Sequence, residues 1–200
     1  MKLTKAIRDA AERGQNLFYG IGGRKNYRKA FPLLLEAAQA GHVHCQNVVG
    51  YCYDQGFGVP KDPVQALVWY ERAAASGHPV ALCNLAMRYE KGQGVEVDLS
   101  RAAGLYWKSA AGGDLWSACN LGLMQLYGRG IPQNDADGIW WLRFAARRGE
   151  VKAQYNLGVS YLDGIGIRKN RRWARFWLEK SAAQGHKIAH KLLSSDAILI

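Results

Sequence analysis

Glycine recurs in this chain at a fixed interval. Gly41, Gly77, Gly113, Gly149 and Gly185 are each 36 residues apart, and so are Gly20, Gly56, Gly92, Gly128 and Gly164, and Gly22, Gly58, Gly94, Gly130 and Gly166. Three unbroken ladders exclude coincidence. A period between about 20 and 50 residues is the mark of stacked supersecondary units, because one such unit cannot cover its own apolar face and needs a neighbour on it. The ladder therefore constrains the fold before composition does.

One rung, Gly164-Ile165-Gly166, raises a nucleotide-binding reading. A dinucleotide loop needs a strand before its glycines and a helix opening directly after them, since the helix N-terminus receives the pyrophosphate. Here Ala153, Leu157, Gly158 and Tyr161 precede the glycines at helical spacing. The same pattern recurs at 45–59, 81–95 and 117–131, so GxG reads as punctuation between two helices.

Each unit carries two helical patterns. The first runs, for example, from Pro79 to about Lys91; the second follows the GxG turn. Asn26, Asp62, Asp98, Asn134 and Asn170 stand at matching positions where a side-chain oxygen caps the second helix. Pro63 suits the first helical position, and Gln65 has capping-box spacing from Asp62. Inside the second helix, small residues precede bulky ones at three and four: Ala66 with Trp69 and Tyr70, Ala102 with Leu105 and Tyr106, Gly138 with Trp141 and Leu142, Ala174 with Trp177 and Leu178. This is the large-small interlock of a helix hairpin, which places those tryptophans in the core. A glycine then ends each second helix.

The chain is 48% hydrophobic, with seven tryptophans, which is enough apolar surface for a packed core. MKLTKAIRDAAERG carries charge throughout and has no apolar h-region, and no run approaches the roughly 18 apolar residues of a membrane span. No membrane association and a cytoplasmic location are expected. Cys45, Cys52, Cys83 and Cys119 all fall in first helices with no CxxC pair, and are expected to be reduced, inert and partly buried. The net charge of +11 is uneven: residues 1–30 hold eight Lys/Arg against two acids, and residues 140–180 hold ten against three.

The motif A/S-x-x-N-L-G/A at Ala81–Ala86, Ser117–Gly122 and Ala153–Gly158, with the GxG turn, the Asp/Asn after it, the Ala/Trp of the second helix and the closing AAxxG, resembles the Sel-one-like repeats, close relatives of tetratricopeptide repeats. The likeness covers 41–186, with 5–40 as a divergent copy. It implies an all-α fold, a right-handed α-solenoid of about five 36-residue helix-turn-helix repeats plus a C-terminal capping helix, in a single domain over 1–200. The repeats fall at 5–40, 41–76, 77–112, 113–148 and 149–184, the cap at 185–200. Such folds hold protein partners. The cysteine-rich branch of the family pairs cysteines between neighbouring helices; that pairing is missing here, which agrees with an intracellular member.

A helical wheel of the first helices, at about 100° per residue, puts four columns furthest from the core, on the expected concave side. They are His44, Asn47, Tyr51, Asp54, Gln55; Val80, Cys83, Met87, Glu90, Lys91; Trp116, Cys119, Leu123, Leu126, Tyr127; and Lys152, Tyr155, Val159, Leu162, Asp163. Such positions ought to be polar, yet the third column is largely apolar and the fourth partly so. An exposed patch of Trp116, Leu123, Leu126, Tyr127, Tyr155 and Val159 would grip a helix or extended segment of another protein. The alternative is that curvature packs these residues on each other or beneath the terminal helix. The expected partner-binding set is Tyr51, Asn84, Met87, Trp116, Asn120, Leu123, Tyr127, Lys152, Tyr155, Asn156 and Val159. Asn84, Asn120 and Asn156 have two readings, clamping a partner's backbone or capping neighbouring helices.

Other chemistry finds little footing. His186 and His190 are four apart but have no third ligand; His42 and His78 read as linker residues. No nucleophile elbow and no recurring carboxylate pair is present, so no enzyme activity and no cofactor are expected. The partner expected is a protein, acidic or presenting a helix or extended segment, drawn in by Arg24, Lys25, Arg168, Lys169, Arg171 and Arg172. Within this reading, an inhibitor or immunity-type role fits the small size. The alternative function is nucleic-acid association through those basic ends, with Arg28 and Lys29. The tail Ala197–Ile200 either shields the last unit or mediates self-association.

Overall fold

The structure, a computed structural model, describes residues 3–194, so the tail reading at Ala197–Ile200 lies outside the described residues. All regular structure among these residues is helical: α1 (Lys5–Tyr19), α2 (Tyr27–Gln39), α3 (Val43–Gln55), α4 (Pro63–Ala75), α5 (Pro79–Lys91), α6 (Leu99–Ala111), α7 (Leu115–Tyr127), α8 (Asp135–Arg147), α9 (Val151–Asp163), α10 (Arg171–Ala183) and α11 (Lys187–Leu193). The 36-residue pattern thus becomes alternating first helices (α1, α3, α5, α7, α9) and second helices (α2, α4, α6, α8, α10). The short α11 lies within the stretch 185–200 expected as a cap.

The repeat is built from local hydrogen bonds. In each turn the first GxG glycine takes the left-handed conformation and returns its N–H to the helix, as Gly128 (φ 61) does to the Met124 carbonyl. The chain then closes back: the N–H of Asp62 reaches the Tyr53 carbonyl at 2.8 Å, that of Asn134 reaches Gln125 at 2.9 Å, and that of Asn170 reaches Tyr161 at 2.8 Å. Asn26, Asp62, Asn134 and Asn170 accept from the first turn of the second helix as expected.

A matching ladder caps the first helices, and its histidines correct the linker reading. His42, His78 and His186 each accept a backbone N–H on Nδ1, from Cys45 (3.3 Å), Ala81 (3.3 Å) and Ala189 (3.2 Å). Asp114 and Glu150 do the same with carboxylate oxygens, accepting from the N–H of Ser117 and of Ala153. The acceptor type changes while the geometry stays.

The second GxG glycine joins one repeat to the last. At Gly130 (φ 73) an added Cβ would lie 2.4 Å from the Leu99 carbonyl carbon, so the turn sits directly on the start of α6. Within a hairpin, Gly122 of α7 faces Gly138 of α8: a Cβ on Gly122 would come within 2.9 Å of the Gly138 carbonyl oxygen. The two backbones meet where only small residues fit.

The chain divides into two compact units, one ending at Asp98 and the other starting at Leu99. The core of the first holds Phe18, Leu34, Val48, Val49, Cys52 and Trp69, and that of the second Leu126, Ile139, Leu142, Leu157, Tyr161 and Trp177. The expected burial of second-helix rings holds for Trp69 and Trp177, and Trp141 is half-buried.

Candidate functional site

On the first-helix face of the second unit, Trp116 packs edge-on to Tyr106 at 5.9 Å, and the Lys152 ammonium sits 5.8 Å from the Trp116 ring. Trp116 and Lys152 were both expected here and are brought together. Tyr127 is 55% exposed, while Leu123 and Val159 are half-buried. Leu126 is corrected: it is 2% exposed, because α8 and the turn at Gly166 close over it, with Gly166 so near that a Cβ there would meet Leu126 Cδ2 at 2.4 Å. Cys119 is buried in the same core. Tyr155 stacks on His186 at 4.6 Å and packs with Leu192 and Leu193, so its ring lies partly under the terminal helix.

In the first unit, Tyr51 is exposed and rests edge-on against Phe18 (6.3 Å) and Phe57 (5.7 Å). Met87 is half-buried, and Asn47, Asp54 and Cys83 from the same wheel columns are buried. Arg88 explains Asp54: the guanidinium pairs with its carboxylate in the interior and lies 5.7 Å from the Tyr70 ring.

The repeated asparagines do something neither reading described. Asn84 Nδ2 donates to Asn47 Oδ1 at 3.1 Å, and Asn156 Nδ2 donates to Cys119 Sγ at 3.5 Å. Each ties a first helix sideways to the first helix one repeat earlier. Asn120 Nδ2 donates within its own helix, to the Trp116 carbonyl at 2.9 Å.

All four cysteines are free and buried. Burial pushes the thiols of Cys52 and Cys119 up to about 12, so neither supplies a thiolate near neutrality. Among the described residues no cluster of His, Cys, Asp or Glu is arranged to hold a metal ion, and no helix is long and apolar enough to cross a membrane.

The second helices carry a surface that the sequence reading missed. Trp140, Trp173 and Phe176 are exposed rather than core. Trp173 stacks on Tyr161 (6.2 Å, 24°), whose hydroxyl accepts from Arg143 at 2.9 Å. Arg168, Lys169, Arg171 and Arg172, expected as steering charges, are all exposed beside this cluster; Arg24 and Lys25 are exposed in the first unit. Position in the helix was the available signal: Trp140 and Phe176 precede the core positions Trp141 and Trp177 by one residue, about 100° round the helix, and so point away from the core.

Stacked helical hairpins with capped turns, carrying their chemistry on side-chain surfaces, define a helical-repeat protein of the α-solenoid class. The chain belongs to the Sel1 repeat family, whose model matches residues 7–42, 43–78, 79–114, 117–150 and 151–186. The repeat protein from Oxalobacter formigenes is similar at 28% identity over 94% of this chain and 75% of that one, with a TM-score of 0.88. A protective antigen of uropathogenic Escherichia coli displaying the same fold is similar at 30% identity and a TM-score of 0.53; 94% of this chain matches 48% of that longer one. The immunity protein Pa5087 from Pseudomonas aeruginosa shares the fold at 19% identity and a TM-score of 0.60, over 94% of this chain and 70% of that one.

Proposed function

We propose that this Sel1 repeat protein is a non-catalytic scaffold that takes a polypeptide segment of a partner on its first-helix face. The observation that carries the reading is the group of Trp116, Lys152, Leu123, Tyr127 and Val159, apolar or amphipathic side chains left wholly or partly accessible on successive first helices α7 and α9. Rigid aromatics of this kind anchor a partner, since they bury large area with little loss of side-chain freedom. In the first unit, Tyr51 and Met87 hold the repeat position of Leu123 and Val159, and Asn84 that of Asn156. Asn84 and Asn156 serve the surface indirectly, by fixing neighbouring first helices.

An immunity-type role, in which the partner is a toxic effector held inactive, is one form of this scaffold. The Pseudomonas aeruginosa immunity proteins support it only in sharing the fold. The test is capture of a partner from the source cell by the native chain and by a Trp116→Ala/Tyr127→Ala variant. The expected result is loss of at least about tenfold in the partner's affinity, with Arg171→Ala/Arg172→Ala changing mainly its salt dependence. Undiminished capture by the first variant, or steep salt-dependent binding to mixed DNA or RNA in its place, overturns the reading. A captured toxin whose activity the chain suppresses establishes the immunity form.

A further inference from the structure

The geometry points to a second binding site, on the second-helix face of the second unit, that takes an acidic polypeptide segment carrying large apolar residues. It lies between α8 and α10, over the C-terminal end of α9, and is separate from the Trp116 surface. Two adjoining clefts make it up. One, of about 430 Å³, is lined by Arg143, Tyr161, Arg168, Lys169, Asn170 and Trp173 among others. The other, of about 510 Å³, is lined by Arg143, Arg147, Tyr161, Trp173, Phe176 and Trp177.

One cation and the backbone that carries two others are held in place. Arg143 is fixed through its bond to Tyr161. Arg168 and Lys169 sit on a turn pinned at both sides, by Ile167 against the core and by the Asn170 N–H on the Tyr161 carbonyl at 2.8 Å. Asn170 in turn caps α10 on the Trp173 N–H at 3.0 Å, which sets the start of the helix and with it the tryptophan. No carboxylate lines either cleft. Of the acids on neighbouring segments, Glu179 is bound by Arg175 at 2.8 Å, Asp163 lines an adjoining depression with Leu162, Lys169 and Arg171, and Asp135 of α8 lies against the turn at Gly166. Arg147, Arg168, Lys169 and Arg172 have no acidic partner among the described residues. One guanidinium held by a hydrogen bond, with further unpaired cations around a cleft without counter-charge, favours an anionic ligand.

The rings decide which kind of anion. A nucleic-acid strand needs open aromatic faces on which successive bases stack. Here the faces are partly used within the protein: Tyr161 lies on Trp173, Lys180 stands 5.1 Å over Phe176, and Arg148 stands 3.8 Å over Phe144. Trp173 and Phe176 meet edge to face at 5.3 Å, forming a notch in place of a flat platform. A notch between ring edges suits a single leucine or phenylalanine side chain, with flanking glutamates or aspartates on Arg143, Arg168 and Lys169.

The test is fluorescence anisotropy on the full chain with three labelled probes: a peptide alternating glutamate and phenylalanine, its glutamate–serine counterpart, and a mixed-sequence single-stranded RNA of the same charge. The glutamate–phenylalanine peptide is expected to bind most tightly. Arg168→Glu/Lys169→Glu, at exposed turn positions that leave the fold intact, weakens it roughly tenfold or more. Trp173→Ala narrows its advantage over the serine peptide. Trp116→Ala/Tyr127→Ala leaves its affinity unchanged, which keeps this site distinguishable from the first-helix surface. Tighter binding of the RNA, equal binding of the two peptides, no binding of either, or indifference to the charge reversal overturns the proposal.

Discussion

At the residue scale, the interior of the first unit holds a buried ion pair between Arg88 and Asp54. Arg88 is 3% exposed, and the Asp54 carboxylate it neutralises also accepts from Gln55 Nε2 at 2.9 Å. Removing one member of a buried pair leaves an uncompensated charge, which costs far more than the pair contributes. Arg88→Ala is therefore expected to destabilise the protein by about 3–5 kcal/mol. Adding Asp54→Ala restores part of that loss, because the orphan charge goes too. Urea unfolding of the single and double variants measures both.

His44 and the capping His78 give the same unit a pH dependence. Burial lowers the proton affinity of His44 and His78 below the usual imidazole value, and at His44 the nearby His78 and His42 lower it further. The His44 and His78 rings are 5.7 Å apart, and Tyr19 Oη lies 3.4 Å from His44 Nε2. A cap on Nδ1 also requires that nitrogen unprotonated. With the folded-state values depressed, the unfolded chain binds more protons. Stability is complete above pH 6.5 and is lost as pH falls through the folded values. Unfolding midpoints should drop between about pH 7.5 and about pH 5, and His78→Asn, which keeps a capping acceptor, should flatten part of the slope.

At the element scale, a turn glycine and an exposed helix glycine respond oppositely to the same substitution. Gly130→Ala forces an L side chain into φ 73 and drives its Cβ into Leu99, so it should cost more than the roughly 1–3 kcal/mol of backbone strain alone. Gly104, exposed within α6, has nothing within 4 Å of an added Cβ. Gly104→Ala should stabilise by roughly 0.5–1 kcal/mol through helix propensity. Thermal unfolding of the two variants, read side by side, separates a turn that joins repeats from a helix that merely continues.

Element boundaries were legible because their causes are local. The helix expected from Pro79 to Lys91 is α5 with those ends, set by a proline at its first position and a left-handed glycine after its last. The capping asparagines act within three residues of themselves, so sequence alone places them. Asn84 and Asn156 were legible as a pattern but not as a function, since each bonds a residue 37 positions earlier. The histidine caps were missed because histidine is an uncommon N-cap residue; their shared register with Asp114 and Glu150 was the signal.

At the scale of the whole molecule, charge governs encounter. With a net charge of +11, association with an acidic partner should slow about tenfold or more as ionic strength rises from about 0.01 to about 0.15 M, where the screening length shrinks from about 30 to about 8 Å. Dissociation should change much less. Stopped-flow rates for the native chain and for variants neutralised at Arg24 and Lys25 or at Arg171 and Arg172 measure how much each unit contributes.

The sequence by itself determined the repeat, its 36-residue period, the hairpin with its caps and turns, and the family, because these follow from hydrogen bonds and backbone conformations set within a few residues. It did not determine which side chains of the first helices remain open. Leu126 and Tyr127 are adjacent in one apolar column, yet the next turn closes over the first and leaves the second in solvent. Spacing from Ala174 placed Trp177 in the core but said nothing of Trp173, which stands at the rim of a basic cleft. Exposure is fixed by residues tens of positions away that stacking brings alongside, and only the tertiary structure says which they are.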